Sequence, residues 1–156
     1  MRISALTESE RAQTGFSHCI RVGYSSVPAE NDFNVAAATA TLQPLTLLAG
    51  DTVAYPLAHV YTKTAPAGAG LSAPTISVGV TGTADALVAS GTPVTGRSLG
   101  AIGPAATGGG PFVSDGTAKF LTITIGSTGN LSLATAGEIL VFVNVIRAAD
   151  LAKVQG

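Results

Sequence analysis

The run Glu138-Ile139-Leu140-Val141-Phe142-Val143-Asn144-Val145-Ile146-Arg147 decides the fold. It is rich in β-branched and aromatic residues and contains neither Gly nor Pro, so it reads as a strand. Successive side chains of a strand point to opposite faces. Ile139, Val141, Val143 and Val145 therefore share one face, and Leu140, Phe142, Asn144 and Ile146 share the other. Both faces are mostly apolar, which predicts a central strand with Val143 inside the core.

Upstream, Phe16–Tyr24 alternates in the same way, with Phe16, His18, Ile20 and Val22 opposing Ser17, Cys19 and Arg21. Leu42–Leu48 is the next expected strand, with Pro44 marking an edge or a bulge. Ala49-Gly50-Asp51 reads as a tight turn into a long strand over Val53–Lys63, and the two strands are expected to form a hairpin. In that strand Val53, Tyr55, Leu57, His59 and Tyr61 are expected on one face. Thr64–Pro74 reads as a surface loop and Thr75–Val80 as a short strand. Ala86–Ala89 reads as a helical turn after Gly82-Thr83-Ala84-Asp85. A weak strand is expected over Val94–Ile102 and a glycine loop over Gly103–Pro111. Phe112–Ser114 leads through Asp115-Gly116 into a strand over Ala118–Gly126, Thr128–Ala136 connects onward, and Asp150–Gly156 is a short tail. Six to eight strands without a long helix predict an all-β protein, an antiparallel β-sandwich of jelly-roll-like character. An immunoglobulin-like sandwich has the same pattern, but its usual Cys…Trp…Cys core is missing here. Residues 1–15 are set apart as a short N-terminal arm, either ordering on a partner or forming a simple edge strand or a frayed terminus. Its Ser4, Thr7 and Ser9 could cap a short helix. Residues 16–156 are expected to form a single β-sandwich domain.

Composition narrows the function. Only 11% of the 156 residues are charged, against roughly 25% in average soluble domains. The formal net charge is −1, which provides no basic footprint for nucleic acid and little repulsion against self-association. No stretch is apolar for long enough to cross a bilayer as a helix, and no signal peptide is evident, so synthesis in the cytoplasm is expected. The lone Cys19 excludes an intrachain disulfide and reads as a small buried thiol.

Residues able to do chemistry are few and scattered. His18 and His59 are the only histidines, and Cys19 faces away from His18, so no metal set forms. No Gly-x-Ser-x-Gly occurs, and Gly108-Gly109-Gly110 lacks the Lys-Ser/Thr of a phosphate loop. Gly79 and Gly82 mark a turn. Asp51, Asp85 and Asp115 each sit in an expected turn, where Asp bonds to its own backbone. Neither a catalytic residue nor a cofactor or metal site is assigned, and an enzyme is not expected. Eight Phe and Tyr residues are too few for a carbohydrate- or base-stacking platform.

Several stretches in order carry a resemblance. They are the acidic arm, Phe16-Ser17-His18-Cys19-Ile20-Arg21-Val22, and Leu45-Thr46-Leu47-Leu48-Ala49-Gly50-Asp51-Thr52-Val53. Pro74-Thr75-Ile76-Ser77-Val78-Gly79 with Thr83-Ala84-Asp85, and Thr135-Ala136-Gly137-Glu138-Ile139-Leu140-Val141-Phe142-Val143, complete the set. Over about residues 16–147 the chain resembles the capsid decoration (cement) proteins of tailed bacteriophages. The resemblance implies a non-enzymatic virion structural protein, often a homotrimer, bound to the major capsid protein on the outside of the shell. Tail, baseplate and head-fibre modules share the same compositional style and form the alternative, ahead of a carbohydrate-binding β-domain.

Overall fold

The computed structural model describes residues 1–94, 112–115, 117 and 119–154. Among the described residues nine strands follow one another: β1 (Arg2–Ala5), β2 (His18–Gly23), β3 (Thr39–Leu47), β4 (Thr52–Gly68), β5 (Thr75–Val80), β6 (Thr83–Pro93), β7 (Phe112–Val113), β8 (Lys119–Gly126) and β9 (Ala134–Ile146). Two short helices, α1 (Glu8–Thr14) and α2 (Ala148–Val154), stand near the ends. The strands form a five-stranded sheet, β1-β2-β9-β4-β7, and a four-stranded sheet, β3-β8-β5-β6. Every pairing is antiparallel. The chain is an all-β antiparallel sandwich, as its alternation predicts.

Its core is the interleaved inner faces of the two sheets. Ile20, Val22, Val60, Val141 and Val143 meet Leu47, Ile76, Val78, Leu121, Ile123 and Ile125, all essentially solvent-free. Strand β9 is central in its sheet, with β2 on one side and β4 on the other. Pro44 does both things expected of it. Strand β3 is an edge strand, and its register slips between Leu42 and Leu45, where Pro has no N–H to offer.

Five expectations are corrected. The chain on either side of Ala49-Gly50-Asp51 does not form a hairpin, because β3 pairs with β8 and β4 with β9. The turn instead carries the chain from one sheet to the other, with Gly50 at φ +79° and the Asp51 carboxylate accepting from Leu48 N–H at 2.9 Å. Strand β4 runs on to Gly68 through the expected loop, because its small residues pair with Ala134 and Ala136 of β9. The expected connection Thr128–Ala136 therefore ends as strand. Ala86–Ala89 is strand rather than helix. A lone turn is too short to nucleate, and β6 instead satisfies its backbone against β5. Six residues of β6 (Thr83 to Val88) oppose three of β5 (Val78 to Val80), and the resulting bulge closes over Gly79. A Cβ on Gly79 would sit 2.1 Å from the Thr83 carbonyl oxygen. Lastly, the tail expected over Asp150–Gly156 is helical as far as Val154, as part of α2.

The N-terminal segment folds back on the sandwich. Arg2–Ala5 pair with Arg21–His18 as an edge strand. Helix α1 begins at Thr7, whose side chain accepts from Glu10 N–H while the Glu10 carboxylate accepts from Thr7 N–H at 2.8 Å. This reciprocal capping satisfies two orphan donors. The weak strand over Val94–Ile102 and the glycine loop over Gly103–Pro111 lie outside the described residues, except that Val94 follows β6 and donates to the Pro74 carbonyl.

Candidate interaction face

The outer face of the five-stranded sheet arises from the register of three strands. Ile139, Val141, Val143 and Val145 point inward, which turns Leu140, Phe142, Asn144 and Ile146 outward. Strand β4 supplies the neighbours through a change of parity. Val53 opposes Val145 and Ala58 opposes Val143, so six residues of β4 cover the span of three on β9. Leu57 and Ala58 are consequently both buried, and the alternation reverses beyond them. Ala58, Val60 and Thr62 fill the inside, while His59 pairs with Phe142 and Tyr61 with Leu140 on the outside. The expectation that Val53, Leu57, His59 and Tyr61 share a face is overturned by this bulge. Across β9, Cys19 of β2 is the other neighbour of Phe142.

These pairings make an apolar surface in rows. At one end Ile146, Thr52 and Val113 are successive cross-strand neighbours, with Ile146 37% and Val113 58% exposed. In the middle, Phe16 lays its ring against Phe142 at 5.9 Å and His59 at 6.2 Å between centroids. Leu140 and Tyr61 continue the surface, partly buried. At the far end Glu138 accepts two cations, Arg21 Nε at 2.9 Å and Lys63 Nζ at 3.1 Å. An antiparallel sheet with one solvated face ordinarily alternates apolar inside with polar outside. The second sheet comes nearer to that rule: its cross-strand row Thr41, Thr124 and Ser77 bears hydroxyls, with Thr41 exposed, Thr124 half-buried and Ser77 buried. The five-stranded sheet does not.

The polar groups around this face are structural in their chemistry. Ser17 is 4% exposed and replaces a missing ladder bond: its hydroxyl accepts from Val145 N–H at 2.7 Å and donates to the Val143 carbonyl at 3.2 Å. His18 Nδ1 lies 2.7 Å from the same hydroxyl. Burial holds the His18 imidazole below its ordinary pKa, assisted by the Arg147 and Arg11 charges. His59 is lowered by burial alone, and its Nδ1 has no hydrogen-bond partner among the described residues. The two histidines sit on opposite sides of the sheet, so the structure does not bring them together. Cys19 is only half-buried rather than fully enclosed. Burial and the Glu10 charge raise its pKa, which disfavours the nucleophilic thiolate.

At the Ile146 end, Asp51 ties four segments together. Its carboxylate accepts from Leu48 N–H and Ala148 N–H and pairs with Arg147, which also donates to the Thr46 carbonyl. Its own backbone carbonyl accepts from Ser114 N–H. Burial pushes the Asp51 pKa up, but these three donors and the Arg147 charge outweigh it and leave the group lowered. The turn role expected for Asp51 covers only the bond to Leu48. Arg147 lies too far along the sequence to be paired with it by inspection. Asp115 holds its own turn by accepting from Thr117, and Asp85 lies within β6. Gly108, Gly109 and Gly110 lie outside the described residues. Among the described residues no three His, Cys, Asp or Glu side chains gather as a metal set would, and no helix is long and apolar enough to cross a membrane.

The chain matches no known family, no curated protein and no solved structure in comparisons with each.

Proposed function

We propose that this chain is a non-enzymatic virion structural protein, a decoration or cement protein bound to the major capsid protein on the exterior of a tailed-phage shell. The observation that carries the reading is the outer face of the five-stranded sheet, an extensive apolar surface on a chain very poor in charge. Such a surface serves contact rather than chemistry. The strand order supports it. With β1 set aside, the sheets run β2-β9-β4-β7 and β3-β8-β5-β6, and six of the seven connections between these eight strands pass from one sheet to the other. We read this order as a jelly roll, an architecture that recurs in viral shell proteins and also in lectins and cupins, so fold alone does not choose among them. A homotrimer on the shell would engage several subunits at once and gain avidity without any single tight site.

Copy number tests the reading. Quantitative mass spectrometry of virions containing the chain should find hundreds of copies per particle, and shells stripped of it should release their genome at lower temperature. Tens of copies or fewer would make it a tail, baseplate or head-fibre module, and absence from virions would end the reading.

A further inference from the structure

We infer that the cleft between the β1–β2 ladder and residues 24–32 is a binding site for a carboxylate, held between the guanidinium groups of Arg2 and Arg21. The cleft has a volume of about 380 Å³, within the ~300–1,000 Å³ range of small-ligand sites. Tyr24, Ser25, Glu30 and Asp32 line it together with the two arginines. The site does not depend on the role proposed above.

Strand register brings the two cations together. Arg2 is the cross-strand partner of Arg21, so the two side chains leave the sheet on the same side, about 5 Å apart at their Cβ atoms. Like charges directly opposed in this way destabilise a strand pair. An anion placed between them replaces that repulsion with two attractions. Arginine suits the task, because its planar fork of donors matches the two oxygens of a carboxylate.

The charges nearby leave both arginines incompletely neutralised. Among the described residues Arg2 has no ion-pair partner. Arg21 shares Glu138 with Lys63, at 2.9 Å from its own Nε and 3.1 Å from Lys63 Nζ. A guanidinium carries five N–H donors, more than one shared carboxylate can accept. Asp32 is already engaged, since it accepts from Gly23 N–H at 2.9 Å and pairs with the Met1 amine. Ser25 Oγ accepts from Val27 N–H at 3.1 Å and keeps its own proton to donate to a ligand.

The opposite wall sets the class of anion. Glu30 is exposed, lines the cleft and has no ion-pair partner among the described residues. With Asp32 it lowers the positive potential between the arginines without cancelling it at their donors. Attraction grows in proportion to a ligand's charge, whereas the cost of drawing an ion out of water grows as the square of that charge. In so moderate a field a singly charged carboxylate is favoured over a doubly charged phosphate. A free acid and a Glu or Asp side chain of a protein partner both present this group.

Saturation-transfer NMR of the full chain in low salt tests the site with propionate and the blocked peptide Gly-Glu-Gly as probes. Both should bind, and inorganic phosphate added at constant ionic strength should displace them less effectively than acetate does. Arg2→Gln and Arg21→Gln should each weaken binding about three- to fivefold, the scale of an exposed ion pair. Arg2 lies exposed on an edge strand, so its replacement leaves the fold intact even if loss of the Arg21–Glu138 pair does not. Glu30→Gln should tighten binding about twofold, as the potential in the cleft rises. Lys153→Gln, on α2, lowers the net charge by the same amount as Arg2→Gln and should change nothing. Peptide bound more tightly than propionate assigns the carboxylate to a protein partner, and the reverse assigns it to a free acid. The inference is overturned if neither probe binds, or if phosphate displaces them better than acetate. It is also overturned if Lys153→Gln weakens binding as much as Arg2→Gln, which would reveal diffuse charge attraction in place of a site.

Discussion

Ser17 shows how much depends on a single small side chain. The β2–β9 ladder is interrupted just before His18, and the Ser17 hydroxyl fills the gap by serving both Val145 N–H and the Val143 carbonyl. If His18 Nδ1–H donates to the same oxygen, its two acceptor sites and one donor are all used. Ser17→Ala should therefore lower unfolding stability by about 1–3 kcal/mol, the usual cost of leaving a buried backbone donor unpaired. Urea denaturation with an unchanged m-value would measure it, and a loss below ~0.5 kcal/mol would mean that another group takes over the bond. The alternation Ser17, Cys19, Arg21 was readable from the chain, but this role was not, since nothing local distinguishes a serine that mends a ladder from one that faces water. Phe33 was hidden for a related reason. It stands alone between Asn31, Asp32 and Asn34, a context of turns, yet it is fully buried as part of the core. A solitary aromatic has no periodicity to betray it.

Among the elements, the strands whose two faces differ in chemistry could be read almost to the residue. Strand β5 matches the expected Thr75–Val80, and β9 was legible as central because both its faces are apolar. What alternation does not encode is which sheet a strand joins. A Gly-Asp turn serves a hairpin and a sheet-to-sheet crossing equally well, so the β3–β4 pairing was misread. Nor does it encode a bulge in mid-strand, and the parity change before Ala58 moved His59 and Tyr61 to the outside. The half of the candidate face that β9 provides was thus legible, while the half from β4 was not. The crossing itself depends on Asp51, which joins the end of β3 to the start of α2. Because the folded-state pKa of Asp51 is lowered, the carboxylate stabilises the fold above its ordinary value of 3.8, and that contribution is lost as pH falls through the folded value. Asp51→Asn should cost about 3 kcal/mol at pH 7 by removing a buried charge from its cation. The penalty should shrink towards zero in acid, where the wild-type group is also neutral. Thermal unfolding of both proteins between pH 2 and 7 checks this. A penalty constant across that range would show that the carboxylate's charge is not what holds the crossing.

On the scale of the whole molecule, the sandwich is held by strands that are remote in sequence. Among the described strands, only β1–β2 and β5–β6 are neighbours both along the chain and within a sheet. Folds dominated by such non-local pairings fold slowly, in milliseconds to seconds, because loop closure must precede the contacts that reward it. The position of β9 sharpens this into a statement about biosynthesis. The strand at the middle of the larger sheet leaves the ribosome after the other eight, so until Ala134–Ile146 emerges β2 and β4 have no partner between them. A nascent chain that already contains β1 to β8 therefore carries two unpaired strand edges and an uncovered apolar face, the features that favour misassembly. Chains stalled on the ribosome should remain sensitive to protease at every length before β9 is released and become resistant abruptly once it is. Protection that grew gradually with length would show that the first eight strands hold together without it. Of these strands the last to be made is the one that completes the sheet, and the sandwich is committed to its fold only once that strand has emerged.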